Sequence, residues 1–237
     1  GTSTTPVETS GLTTIAADGV NGGINVSNSG GTNVTISSLS DPTVASAVGL
    51  VTTTGGISLV NSGGSITLSQ PVTAGGTGSV TLQATGTGGT LALGANDVSG
   101  AGVTLEGVGV TQSSGSTVDA GSGDILVDGG AGAINMAGAL TTTSDTATAT
   151  TVQDASTVTL PAITTGSTGT TTIGAGDITG AVTQSPSTVI STGTLTGDTT
   201  SSVDLGNGNT IPTLGAFTSD GFTLDDAGAL TLAGTVS

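Results

Sequence analysis

The segment Gly109-Val110-Thr111-Gln112-Ser113-Ser114-Gly115-Ser116-Thr117-Val118 returns as Gly180-Ala181-Val182-Thr183-Gln184-Ser185-Pro186-Ser187-Thr188-Val189. The shared Val-Thr-Gln-Ser followed by Ser-Thr-Val marks an internal repeat. Outward from both copies a simpler pattern recurs, two aliphatic residues two apart with Thr or Ser between them. It is carried by Ile24/Val26, Val34/Ile36, Ile57/Leu59, Ile66/Leu68, Val80/Leu82, Leu91/Leu93 and Val103/Leu105. Ile125/Val127, Ile134/Met136, Val158/Leu160, Val203/Leu205, Phe222/Leu224 and Leu230/Leu232 continue it. A spacing of two puts both side chains on one face of an extended strand and the intervening Thr or Ser on the other. No segment shows the 3.6-residue period of a helix.

Gly and Asn-Gly or Asp-Gly pairs punctuate these strands, among them Asp18-Gly19, Asn21-Gly22, Asp128-Gly129 and Asn207-Gly208. Such pairs supply the backbone angles of tight turns. Pro6, Pro42, Pro71, Pro161, Pro186 and Pro212 fall at strand margins, where a missing N–H does least harm. A β-sandwich shares this spacing of turns, so repetition and core size decide. Sandwiches bring longer strands and more aromatics, whereas a solenoid coils short strands around thin aliphatic stacks. Only Phe217 and Phe222 are aromatic. The expected fold is therefore all-β, a right-handed parallel β-helix (β-solenoid) of short strands joined by Gly/Asn/Asp turns. At roughly 20 residues per coil and about 4.8 Å per strand it makes about 12 coils in a rod on the order of 55 Å long. Residues 1–49 form β-rich coils with a looser repeat, and residues 50–237 form the repetitive shaft.

Composition narrows the function. Among 237 residues there is no Lys, Arg, His, Cys, Trp or Tyr, and 14 Asp and 2 Glu give a formal charge of −16. General bases of the imidazole or amine type, thiol nucleophiles and guanidinium clamps are all missing, which argues against an enzyme. Nucleic acid and anionic membrane surfaces are disfavoured partners. No run of apolar residues is long enough to span a bilayer as a helix. Gly1 opens without a basic and apolar leader, so any secretory signal is expected to be removed or to lie outside this stretch. Gly, Thr and Ser make up about half the chain, yet 33% of residues are apolar and the mean hydropathy is +0.32, enough to order a narrow core. Stacked coils bring like positions within strand spacing of one another, so neutral ladders of Thr, Ser, Asn and aliphatics are favoured and charges must be scattered.

Several stretches resemble the repeat region of filamentous-haemagglutinin-type secreted bacterial adhesins. They are Gly180-Ala-Val-Thr-Gln184, Gly193-Thr-Leu-Thr-Gly197, Val203-Asp-Leu-Gly-Asn-Gly-Asn-Thr-Ile211, Leu214-Gly-Ala-Phe217, Gly221-Phe-Thr-Leu224 and Gly228-Ala-Leu-Thr-Leu-Ala-Gly234. Ser116-Thr-Val-Asp-Ala-Gly-Ser-Gly-Asp-Ile-Leu-Val127 and Gly130-Ala-Gly-Ala-Ile-Asn-Met136 look like the same material. The likeness covers roughly residues 50–237. It implies a non-catalytic segment of an extracellular bacterial fibre or adhesin stalk, secreted or at the cell surface, with self-stacking or further shaft as partner. The alternative is an adhesion module that binds host or matrix glycans, or matrix proteins, on a face of the helix. Thr141–Thr151, a Thr/Ala stretch without clear strand pairing, is the candidate interruption for such a site.

Other signals are weaker. Asp119-Ala-Gly-Ser-Gly-Asp124 and Asp128-Gly-Gly-Ala-Gly-Ala-Ile134 are similar to the nonapeptides that hold calcium in β-roll toxins. Asp119, Asp124 and Asp128 are thus the calcium candidates, although Ile134 stands where that pattern has Asp, and turn chemistry accounts for them more simply. No other cofactor, metal or catalytic residue is expected. Asp225-Asp226 and the acceptor patterns at Asn25 and Asn33 read as turn and strand residues. Thr148/Thr150, Thr157/Thr159 and Thr194/Thr196 invite an ice-binding reading, but their spacing drifts along the chain, so outward-facing strand Thr is expected instead.

Overall fold

A computed structural model describes residues 5–41 and 44–237; Pro42, placed above at a strand margin, lies outside the described residues. Among the described residues there is no helix. Parallel strands wind into a β-solenoid of about 9 turns. The strands stack in three ladders, of which the third ends at Ile190–Ser191 while the other two continue to the last coils.

Ladder I begins at Val7–Ser10 and Ile24–Ser29, continues through Ile57–Asn61, Val80–Ala84 and Val103–Gly107, and ends at Thr213–Thr218 and Thr231–Leu232. Ladder II runs from Thr14–Ile15 through Val34–Ile36, Ile66–Leu68 and Val110–Gln112 to Val203–Asn209 and Phe222–Asp226. Ile125–Met136 and Thr150–Leu160 pass through the corner and serve both ladders. Ladder III stacks Ala17–Asn21, Leu50–Thr54, Val72–Thr73, Val98–Ser99, Thr117–Asp119, Ala139–Thr141, Ala162–Thr164 and Ile190–Ser191.

The aliphatic pairs seen in the sequence are the inward residues of ladders I and II. Ile57, Val80, Val103 and Ile125 form one stack, and Leu59, Leu82, Leu105 and Val127 form the next, all essentially without solvent exposure. Leu230/Leu232 is the exception: Leu232 is 66% exposed. Ladder III has no such pairs. From Val72–Thr73 onward its strands have only two or three residues, and the ladder sends one main aliphatic inward per coil, the stack Leu50–Val72–Val98–Val118–Leu140–Ile163–Ile190.

The coil count of about 12 is corrected to about 9. Corners absorb more chain than the sequence spacing implied: stacked residues are 19 apart at Thr9 and Asn28, 23 at Gln83 and Glu106, 25 at Asp128 and Gln153 and 33 at Asn28 and Asn61. The longest coil carries an antiparallel hairpin, Ser38–Asp41 with Val44–Val48, inserted between ladders II and III. It ends on Gly49, whose φ is 72° and whose Cα faces the Pro71 carbonyl of the next coil so closely that no Cβ fits. At about 4.8 Å per rung the rod is roughly 45 Å long.

Buried asparagines near both ends of the rod are paired across coils. Asn61 accepts from Asn28 Nδ2 at 3.0 Å and donates to the Thr32 and Ser65 carbonyls. Near the other end Asn209 Oδ1 accepts from Gln184 Nε2 and the Ile190 amide, each at 2.8 Å.

Candidate functional site

The two copies of the internal repeat occupy the same place in their coils, a ladder II strand and the turn that follows it. In each, the glutamine amide closes the turn: Gln112 Nε2 donates to the Ser116 carbonyl at 3.1 Å and Gln184 Nε2 to the Thr188 carbonyl at 2.9 Å. The serine after it differs. Ser113 is exposed, whereas Ser185 is buried and donates through Oγ to the Met136 carbonyl at 2.8 Å. The cause lies in the intervening coil. At the corner before it, the Ala137 amide donates to the Gln112 carbonyl, and at the one after it the Ser185 amide donates to the Leu160 carbonyl. The residue that would donate to Met136 in the same way is Pro161, which has no N–H. The Ser185 hydroxyl supplies the missing donor.

The three calcium candidates are not brought together. Asp119 Oδ1 accepts from the Gly121 amide at 2.8 Å at the end of a ladder III strand. Asp128 Oδ1 accepts from the Gly130 amide and its Oδ2 from Gln153 Nε2, both at 2.9 Å. Asp124 binds a strap formed by residues 142–149: Ser144 Oγ and Thr146 Oγ1 donate to Oδ1 at 2.6 and 2.8 Å, and Thr148 Oγ1 to Oδ2 at 2.6 Å. Burial pushes the Asp124 carboxyl up, the largest single influence, but the three hydroxyl bonds together hold it below the ordinary aspartate value of 3.8. Among the described residues no three acidic side chains gather as a metal site. Asp226 accepts from the Ile211 and Gly228 amides.

The strap borders a groove of about 480 Å³ on the outer face of ladder I. Its floor is one outward row of direct partners, Thr104, Leu126, Thr151 and Thr172. Asp124 and Thr148 stand on one side, and Gln153, Gly174 and Ala175 on the other. Leu126 is the one aliphatic in this floor row. The sequence signal for it was the run Ile125-Leu126-Val127, where three aliphatics in succession force the middle one outward. Beside the row, Gln83 Nε2 donates to Glu106 Oε2 at 2.6 Å. Glu106 and Asp128 are stacked neighbours.

Threonine rows also exist where sequence spacing predicted drift. On ladder II, Thr14, Thr35, Thr67, Ala92, Thr111, Asn135, Thr159, Thr183, Asp204 and Thr223 are successive partners. Variable corners take up the drift and the ladder keeps its phase. The Thr-x-Thr pairs themselves do not share one fate: Thr148 is exposed on the strap, while Thr150 lies in the core stack with its hydroxyl unpaired.

No protein-family model, no curated protein and no solved structure matches the chain.

Proposed function

We propose that this chain is a non-catalytic shaft segment of an extracellular bacterial fibre or adhesin stalk. The observation that carries the reading is the core itself, an unbroken series of parallel strand pairings along ladder I from Val7–Ser10 to Thr231–Leu232. Interior rungs are buried, while Val7 and Leu232 are 62% and 66% exposed. Uncovered rungs with free strand edges are templates for further parallel strands, from another copy or from more shaft. The resemblance of residues 50–237 to filamentous-haemagglutinin-type repeats supports the extracellular setting. The absence of any basic side chain leaves trypsin-like proteases no cleavage site.

Sedimentation velocity and negative-stain micrographs across a concentration series test the end-to-end form. Rods that lengthen with concentration are expected, and Leu232→Asp, which puts a charge on the terminal rung, abolishes the lengthening. Single short rods at every concentration overturn it. A second reading, a binding module on one face of the rod, is favoured by the groove beside the strap, since the strap falls within Thr141–Thr151, the interruption singled out in the sequence.

A further inference from the structure

Coil by coil, the outward positions of ladder I alternate with the core. In the strand Ile125–Met136, which crosses the floor of the groove, Leu126 and Asp128 are outward positions, and Asp124 immediately precedes it. Asp124 lines the groove, while Asp128 lies outside its lining, bonded to the lining residue Gln153. One aliphatic side chain thus lies between two carboxylates, with Glu106 stacked beside Asp128. The carboxylates already hold neutral donors, which fixes their positions. Asp124 is clamped by three hydroxyls, and Asp128 is held by the Gly130 amide and Gln153. None of those donors carries charge. With 16 acidic residues and no Lys, Arg or His, the chain cannot neutralise a carboxylate from within. All counter-charge must come from outside.

We propose that this groove binds a lysine-rich extended segment of a partner protein. This rests on the binding-module reading and names its partner. The chemistry matches part by part. The aliphatic stem of a lysine lies over Leu126, as such stems do over apolar surface, and its ammonium reaches Asp124 at one side of the groove or Asp128 beyond Gln153 at the other. The hydroxyls of Thr104, Thr151 and Thr172 serve the backbone of the bound segment. A volume of about 480 Å³ suits a few residues of extended chain. The field of the whole molecule draws cationic segments in and repels acidic ones. A neutral saccharide finds no aromatic platform in the groove, and an anionic one meets only like charge.

The test is titration of the intact chain with fluorescently labelled pentalysine at fixed ionic strength, with penta-(N-acetyl-lysine) and neutral oligosaccharides as comparison probes. Saturable pentalysine binding is expected, with loss on acetylation. Leu126→Ser and Asp128→Asn should each weaken it about fivefold, while Asp204→Asn, the same charge change on ladder II, leaves it unchanged. Equal weakening by Asp204→Asn and Asp128→Asn shows diffuse attraction to an acidic rod and overturns the site. Saturable saccharide binding without pentalysine binding overturns the partner assigned and leaves the binding-module reading standing. Binding of neither probe overturns both. Circular dichroism of each variant confirms the solenoid.

Discussion

Replacing Ser185 by alanine tests the account of the Pro161 corner. The hydroxyl donates at 2.8 Å to a carbonyl whose residue, Met136, has no solvent exposure, so water cannot take over. Leaving a buried acceptor unpaired costs about 1–3 kcal/mol, more than the net gain from forming an ordinary hydrogen bond. For a chain of this size that is roughly 2–4 °C of melting midpoint per kcal/mol. Denaturant titration followed by circular dichroism measures the loss. Two further variants isolate its cause. Ser113→Ala, at the equivalent but exposed position of the other repeat copy, should change stability by less than about 0.5 kcal/mol. Pro161→Ala restores an N–H facing Met136, so Ser185→Ala made in that background should cost about 1 kcal/mol less than in the natural chain. An equal cost in both backgrounds, or no greater cost than Ser113→Ala, refutes the reasoning.

Three other outcomes follow from the same geometry. Because the Asp124 carboxyl is held below its ordinary value, its hold on the strap is complete above the unfolded value and is lost as pH falls through the lower folded one. Hydrogen exchange at Ser144–Thr148 should therefore stay slow through the usual carboxylate range and quicken only below it, and Asp124→Asn should remove that pH dependence. Thr150 has a buried hydroxyl without a partner, so Thr150→Val should stabilise by about 1 kcal/mol in denaturant titration. Thr171→Val, which removes a donor to Thr192 at 3.1 Å, should be neutral or cost about 1 kcal/mol. Gly49→Ala imposes a left-handed backbone on a residue with a Cβ and drives that Cβ into the Pro71 carbonyl. It should cost at least about 2 kcal/mol, with faster exchange concentrated at Leu50–Thr54; a loss below about 0.5 kcal/mol would contradict the close approach.

The strands of ladders I and II were legible because alternation is a local property: Ile57-Ser-Leu59 shows its inward face in three residues, whatever surrounds it. The same locality hid ladder III, since a strand such as Val98–Ser99 sends in a single aliphatic and leaves no period to read. The strap was legible only as an interruption. Thr142–Ala149 shows alternating hydroxyls, but their acceptor, Asp124, is about a coil away in the sequence.

The amino-acid sequence alone determined that the chain forms short one-faced strands in a repeated, aromatic-poor stack, because small neutral side chains suit positions that meet near copies of themselves. The tertiary structure decided what depends on neighbours 19 to 49 residues distant. It set how many coils there are, which threonines line up, and why Ser185 is buried while Ser113 is not. Corner loops change length without disturbing the ladders between them, so sequence spacing and spatial register are independent, and only the folded chain shows which residues are stacked.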